Sequence, residues 1–278
     1  MGEACSDKIV QATVLSFMAE CYYSLGKHAE EERLHRSILQ LQDEGLNQEH
    51  QIIYKSLSRL AYVLLVLDKV TEAEQMARKA LEITTKVLGR NHADTLWSLR
   101  LLADISYRQG NLSKAEKDYK ELQQKMDQIL GPEHIRSLGN MHNFAIVLDE
   151  QGKHAEAETM LRKELSLRER TQGRENPETI NSMDSLAYVL LNQSKEEEAE
   201  DMIWQTAELQ EKVLGHEHPG TLKGKNNMGN MLIVRGKYHE AAMILQQTVE
   251  LEEKVLGPSH ALTLLSKRNL HKAVNQGA

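Results

Sequence analysis

The chain has 278 residues, of which 40% are hydrophobic and 27% charged, a composition typical of soluble proteins. Its formal net charge of −7 argues against nucleic acid as the main partner. No apolar run approaches the ~18 residues of a membrane-spanning helix, no signal peptide is recognisable, and two cysteines are too few for a disulfide framework. Together these features predict a protein of a reducing compartment, cytoplasmic or nuclear, that does not act at a membrane.

The first residues, 1–6, are expected to form a short leader, with Ser6 or Asp7 capping the first helix. A lipidation signal is the alternative, because Gly2 and Ser6 stand where myristoylation requires them and Cys5 offers a second lipid site. Glu3 fits that signal poorly and no polybasic patch follows, so the leader is favoured.

Helical periodicity begins near Asp7. Apolar residues from Leu15 to Tyr22 predict a first helix that ends at Gly26, and a second helix is predicted from Ala29 to about Asp43. The pair then recurs, and each first helix carries a small residue where two helices must approach closely: Ala19, Ala61, Ala103, Ala145, Ala187 and Gly229. A second small column opens the second helices, at Ala73, Ala115, Ala157, Ala199 and Ala241. The turn between the two helices closes at Gly26, Asp68, Gly110, Gly152, Ser194 and Gly236.

The linker between one pair and the next sets the period. The stretch 87–96 recurs at 129–138, 171–180, 213–222 and 255–264, and its glycines follow one another at intervals of 42 residues. Such a period indicates a repeat array. Each glycine follows an apolar helical run, so it is expected to end that helix with a positive φ.

Three residues after each linker glycine position stand the predicted N-caps: His50, His92, His134, Asn176, His218 and His260. A histidine metal site is the rival interpretation, but stacked helices lie ~8–10 Å apart, too far for residues of successive repeats to share a metal with ~2 Å ligand bonds.

The pattern predicts six helical hairpins, at about 7–46, 49–88, 91–130, 133–172, 175–214 and 217–256. A last helix, from about Ser259 to Asn275, is expected to cover the final hairpin. His271 occupies its small-column position, and this departure suits a terminal cap, which needs a polar outer face. The whole of 7–278 is thus predicted to be a single all-α solenoid.

The repeat resembles a known family. Leu60-Ala61 followed by Glu72-Ala73-Glu74, and the same pattern at Leu186-Ala187 with Glu198-Ala199-Glu200, is similar to the tetratricopeptide repeat. The 42-residue period and the linker Leu214–Leu222 resemble the kinesin light chain-like variety, which is frequent in fungal proteins. The resemblance implies a right-handed superhelix whose first helices line a concave, peptide-binding groove.

The resemblance also places groove residues at four positions relative to the small residue of each first helix: six, three and two residues before it, and one residue after it. Each position forms a column through the repeats. The predicted peptide-binding residues at these positions are Lys55, Arg59, Tyr62, Trp97, Arg100, Asn143, Tyr188, Lys223, Asn226, Asn227, Asn230, Arg268 and Asn269. Asn143, Asn227 and Asn269 share one column, and we expect their amides to pair with a peptide backbone. The four columns hold six basic and three acidic residues, Glu20, Asp104 and Asp184, within an acidic chain. This bias favours an acidic peptide or a C-terminal carboxylate.

No catalytic motif, metal-binding motif or P-loop is recognisable, and neither an enzymatic activity nor a cofactor is expected. The predicted function is a non-catalytic scaffold or adaptor that binds a protein or peptide partner. Two alternatives stay open: an accessory or regulatory part of a larger system, such as a fragment of a fungal NTPase-type receptor or a helper in a biosynthetic pathway, and an enzyme that carries no recognisable motif.

Overall fold

A computed structural model describes residues 2–43, 47 and 49–277. Within these residues it contains thirteen α-helices and no strand, which confirms the predicted all-α repeat fold. The first helices of the pairs are α1 (Gly2–Ser24), α3 (Gln51–Val66), α5 (Ala93–Arg108), α7 (Ile135–Glu150), α9 (Pro177–Asn192) and α11 (Pro219–Val234). The second helices are α2 (His28–Asp43), α4 (Val70–Leu88), α6 (Leu112–Ile129), α8 (His154–Gln172), α10 (Glu196–Leu214) and α12 (Tyr238–Val255), and α13 (Ala261–Gly277) ends the array.

The helices form two compact units, Met1–Val147 and Leu148–Ala278, and the boundary falls inside α7. In the N-terminal unit the helices from α1 to α6 pack on one another in chain order, and in the C-terminal unit the helices from α8 to α13 do the same. Each unit is therefore a stack in which a helix contacts mainly its sequence neighbours, as in solenoid proteins. One continuous solenoid from 7 to 278 stays a prediction.

Both predicted columns of small residues are buried, as expected for positions where helices meet. In the N-terminal unit, Ala61 and Ala73 share a core cluster with Leu60, Leu64 and Leu101. In the C-terminal unit, Ala241 and Leu245 of α12 pack with Ala273 of α13. Burial of these apolar side chains stabilises each stack by roughly 25 cal/mol per Å² of surface removed from water.

The turn inside each hairpin has the predicted left-handed residue. All six closing positions have a positive φ, and two of them, Asp68 (60°) and Ser194 (58°), are not glycine. The residue after the turn donates its N–H back into the first helix, as Lys69 does to the carbonyl of Leu64 at 2.8 Å. This bond satisfies carbonyl groups that the helix end leaves without a partner.

The linker residues cap the next helix, which confirms the capping prediction. Nδ1 of His92 accepts the N–H of Asp94 at 3.1 Å, and Oδ1 of Asn176 accepts that of Glu178 at 2.9 Å. His50, His134, His218 and His260 make the same bond. The imidazole therefore replaces the usual Asn or Ser acceptor. The linker threonine adds a bond that the sequence did not reveal, since Thr95 donates its hydroxyl to the carbonyl of Gly89 at 2.8 Å.

The two ends of the array differ from the sequence-based boundaries. α1 begins at Gly2, so residues 2–6 belong to the helix, and Ser6 and Asp7 lie inside it and do not cap it. Glu3 and Ala4 are good helix formers and continue the helix backwards. The last helix begins and ends two residues later than predicted. Among the described residues, none of the helices has both the length and the apolar character that a membrane crossing demands.

Candidate functional site

The predicted groove residues of the N-terminal unit line two cavities. The first cavity, of about 340 Å³, includes Lys55, Arg59 and Trp97 in its wall. The remaining residues that line it are Ser16, Glu20, His35, Tyr54, Ser56, Ser58, Asp94 and Arg136. The structure thus brings together three of the predicted residues from two successive first helices, α3 and α5.

Three guanidinium groups at or beside the first cavity lie over aromatic rings, although Tyr23 and Arg100 are not among the residues that line it. The guanidinium carbon of Arg59 lies 4.8 Å from the ring centroid of Tyr23, and those of Arg100 and Arg136 lie 4.7 and 5.9 Å from that of Trp97. Arg136 also donates to Asp94 at 3.0 Å. Within the described residues no ion pair joins Lys55 or Arg59 to a carboxylate. Both cations are therefore available to an anionic group, although the charge of Arg59 also acts on Glu31, where it opposes the rise in pKa that burial causes. The ring of Tyr23 holds the Arg59 side chain in place.

His35 of α2 is a cavity residue that sequence reasoning missed. Its side chain is buried, its Nδ1 has no hydrogen-bond partner, and its Nε2 lies 3.9 Å from Oε1 of Glu31. Burial, with a smaller contribution from the charge of Arg59, lowers the pKa of His35 to about 4, so the imidazole is neutral at pH 7. A signal was present in the sequence: one repeat later the same position holds Ala77, and further repeats hold Tyr119, Leu161, Ile203 and Leu245. A histidine in this otherwise mostly apolar column indicates that position 35 does more than fill the core.

The second cavity, of about 310 Å³, includes three more predicted residues, Tyr62, Arg100 and Asn143. The other residues that line it are Leu65, Val66, Asp104, Tyr107, Arg108, Tyr119, His142 and Ile146. Burial raises the pKa of the Tyr62 hydroxyl to about 12, so this group stays protonated and able to donate a hydrogen bond.

Asp104 organises the second cavity. Its carboxylate accepts hydrogen bonds from Arg100 Nη2 at 3.3 Å, from Asn143 Nδ2 at 2.9 Å and from the hydroxyl of Tyr119. Burial, the largest single effect, would lower the pKa of Arg100, but the charge and hydrogen bond of Asp104, together with Tyr119 and Tyr62, outweigh it and raise the pKa. Arg100 and Asn143 are consequently held by a protein carboxylate. One amide N–H of Asn143, which we expected to face a ligand, is already used inside the protein.

In the C-terminal unit the predicted residues fall into an exposed and a half-buried group. Tyr188, Lys223 and Arg268 are exposed, and Asn227, Asn230 and Asn269 are half-buried. Lys223 lies 3.9 Å from a carboxylate oxygen of Asp184, whose pKa is raised by burial. Asn269 Nδ2 donates to Oδ1 of Asn226 at 3.0 Å, so this amide too has a protein partner.

Asn226, one of the predicted groove residues, has a side chain that is only 3% exposed. Its Oδ1 accepts from Ser266 Oγ at 3.1 Å as well as from Asn269, so it joins α11 to α13. The physical reason lies in the helical period. A residue three positions before the small column lies on nearly the same face of the helix and meets the neighbouring helix. Ser58, in the same column, is buried for the same reason.

The ion pairs reduce the basic surplus that the sequence suggested. Arg100 has Asp104 as its partner, and Lys223 lies near Asp184. In the described part of the chain, Lys55, Arg59, Arg268 and Lys272 form no ion pair. Among the basic residues of the four columns, those able to meet an external anion are therefore Lys55 and Arg59 in the N-terminal unit, and Arg268 and Lys272 in the C-terminal one.

Comparisons with known proteins identify the repeat. A tetratricopeptide repeat sequence model matches residues 53–124, 102–170 and 136–212, more than half of the chain in all, and a second tetratricopeptide repeat model matches residues 221–262. No curated protein sequence matches the chain significantly.

Several solved structures share the fold. The kinesin light chain nearly identical TPR-like repeats from Podosopora anserina are 24% identical, with a TM-score of 0.59 over 72% of this chain and 95% of the other. BtubC (BKLC) from P. vanneervenii is 16% identical, with a TM-score of 0.63 over 90% of this chain and 92% of the other. The Rap conjugation gene regulator of the plasmid pLS20, solved with the Phr* peptide, is 15% identical, with a TM-score of 0.68 over 100% of this chain and 76% of the other. At these identities the likeness concerns the fold.

Proposed function

Because the chain belongs to the tetratricopeptide repeat family, we propose that it is a non-catalytic scaffold that binds an extended, acidic peptide segment of a partner protein along its first helices. The first cavity carries this proposal. It combines two cations that form no ion pair among the described residues, Lys55 and Arg59, with the half-buried ring of Trp97. A carboxylate would satisfy the cations, and an apolar side chain would pack on the ring.

Two observations support a peptide as the ligand. The residues that line the cavities come mainly from first helices, and the cavities are clefts of a few hundred Å³, which suits single side chains of an extended chain. The Rap regulator, whose fold this chain shares, was solved with a bound peptide. We expect Asn227 and Asn230 to contribute hydrogen bonds to a peptide backbone in the C-terminal unit, because an amide can both donate and accept.

The test is a selection from a random peptide library displayed on phage, followed by titration of the selected peptides. We expect an excess of Asp and Glu in the selected sequences. Arg59→Glu should weaken binding by about tenfold or more, with the loss growing at low salt. Lys79→Glu, an exposed position on the second helix α4, is the matched control and should leave binding unchanged. Selected peptides without acidic residues, or equal losses for the two variants, would remove the first cavity as the peptide site.

A further inference from the structure

Glu252 of α12 carries a buried carboxyl group that no cation neutralises. Its side chain is fully buried and its Oε2 has no hydrogen-bond partner. In the described part of the chain it forms no ion pair. An ionised carboxylate in such surroundings is costly, because it has lost its water and gained no opposite charge. Burial accordingly raises the pKa of Glu252, against smaller opposing effects of Ser266 and of the charge of His260.

Basic groups on the helices packed against α12 are paired elsewhere or exposed. The two helices that contact α12 are α11 and α13. His260, in the linker before α13, is exposed and uses its Nδ1 to accept the N–H of Leu262, so it contributes only a minor charge effect at Glu252. The basic residues that lie near other carboxylates are Lys223, Lys225 and Lys267, and the exposed ones of α13 are Arg268, His271 and Lys272.

The contacts of Ser266 require one more donor than an ionised Glu252 provides. Oγ of Ser266 lies 3.0 Å from Oε1 of Glu252 and 3.1 Å from Oδ1 of Asn226. Asn269 donates to that same Oδ1. A serine hydroxyl has one proton and donates to one acceptor at a time. If Glu252 is a neutral acid, its O–H donates to Ser266, Ser266 donates to Asn226, and each contact is a hydrogen bond.

The preceding hairpin has a permanent donor at the equivalent position. Gln210 stands 42 residues before Glu252, and Asp184 stands 42 residues before Asn226. Nε2 of Gln210 donates to Oδ2 of Asp184 at 3.1 Å. A carboxyl group can replace an amide as donor only when it is protonated. The repeat therefore favours a proton on Glu252.

We propose that Glu252 is a proton-dependent latch for α13: as a neutral acid it holds the helix through Ser266, and loss of its proton loosens the helix. The stabilisation is present below pH 4.5, the ordinary pKa of the group, and is lost as pH rises through its raised value in the folded protein. α13 carries Arg268 and Lys272, which form no ion pair among the described residues, so the latch also determines how firmly these cations are held.

The first experiment is hydrogen–deuterium exchange of the full chain between about pH 5 and pH 8, corrected for intrinsic exchange rates. Protection of α13 in the parent should fall by about tenfold or more as pH rises. Glu252→Gln, whose amide donates at every pH, should keep this protection constant and exceed the parent at pH 8. Glu253→Gln, at the exposed next position, is the matched control and should retain the pH dependence of the parent.

The second experiment observes the proton directly, by carbon NMR of glutamate labelled at its side-chain carboxyl. The resonance that is missing from Glu252→Gln belongs to Glu252. In the parent it should titrate at a higher pH than the resonances of exposed glutamates. Ser266→Ala removes the link to Asn226, so at pH 5 it should lower α13 protection to near the parent level at pH 8.

Two results would overturn the latch whatever the stability of the variants: titration of Glu252 at or below the pKa of the exposed glutamates, and a pH dependence of α13 protection that Glu252→Gln and Glu253→Gln share. A Glu252→Gln chain that unfolds, or that protects α13 less than the parent at pH 8, would also contradict it, because the amide should replace the neutral acid.

Discussion

Gly229 of α11 lies against the side chain of Leu245 of α12, so closely that a Cβ at position 229 would be 2.5 Å from Leu245 Cγ. The same column holds alanine in the five preceding hairpins. The contact between α11 and α12 therefore has no room for the methyl group that the other first helices carry at this position.

Gly229→Ala is expected to destabilise the protein. Overpacking of a core contact costs ~1–3 kcal/mol, which exceeds the roughly 1 kcal/mol that alanine contributes through helix propensity. Urea unfolding measures the difference. Gly139→Ala in α7 is the control, because the nearest atom to its new Cβ would be Nη1 of the flexible Arg100, at 3.4 Å. The control should be neutral or stabilising. A gain in the free energy of unfolding for both variants would show that α11 and α12 can move apart without destabilising the protein.

Asn143 and Asn227 occupy the same column but should respond differently to substitution. Asn143→Ala removes the hydrogen bond to Asp104 and should lower stability by about 1 kcal/mol. Asn227 is half-buried, and its side chain has no hydrogen bond in the part of the chain that the structure describes, so Asn227→Ala should leave the melting temperature unchanged. Calorimetry of the two variants measures their thermal stability. A larger loss of stability for Asn227→Ala than for Asn143→Ala would contradict the hydrogen-bond network around Asp104.

His35 should make the stability of the N-terminal unit depend on pH. Burial lowers the pKa of His35 to about 4, below its ordinary value of 6.5, so the unfolded chain binds a proton before the folded one. The stability contributed by the neutral imidazole is present above pH 6.5 and is lost as pH falls toward 4, by on the order of 2–3 kcal/mol. Glu31, which faces His35, has a pKa that burial raises, so its contribution has the opposite sign.

His35→Leu isolates the contribution of the histidine, since leucine occupies the equivalent position in two later hairpins, at Leu161 and Leu245. Unfolding curves between pH 4 and 7 should be less pH-dependent for this variant than for the parent. His271→Leu, at an exposed site on α13, should keep the parent slope. Parallel pH profiles for all three proteins would show that His35 is protonated equally in the folded and unfolded states.

Removal of α13 should destabilise the C-terminal unit. Leu270 and Ala273 of α13 pack against Leu245 of α12, and Ser266 Oγ is hydrogen-bonded to the buried Oε1 of Glu252 at 3.0 Å. A chain truncated after Pro258 exposes this apolar surface and leaves Glu252 without this partner, so we expect a lower melting temperature and aggregation. Light scattering during thermal unfolding measures both effects. Equal melting and equal solubility of the two chains would mean that α13 does not act as a cap.

The sequence by itself determined the period, the helical pairs and the chemistry of their ends. The same local features recur every 42 residues: small residues where helices touch, a left-handed residue at the turn, and histidine or asparagine before the next helix. These are interactions between residues close together in the chain, so spacing and residue type are sufficient to predict them. The resemblance to the tetratricopeptide repeat placed Lys55, Arg59 and Trp97 in one groove, and stacking of successive repeats brings the equivalent positions 55 and 97 side by side.

Only the tertiary structure decided which of those equivalent positions are open. Asn226 is buried by Ser266 and Asn269, Arg100 and Asn143 are held by Asp104, and His35 reaches the first cavity from a second helix. A column in the sequence fixes the direction of a side chain to within part of a helical turn, whereas exposure depends on the size and charge of the side chains that the neighbouring helices place against it.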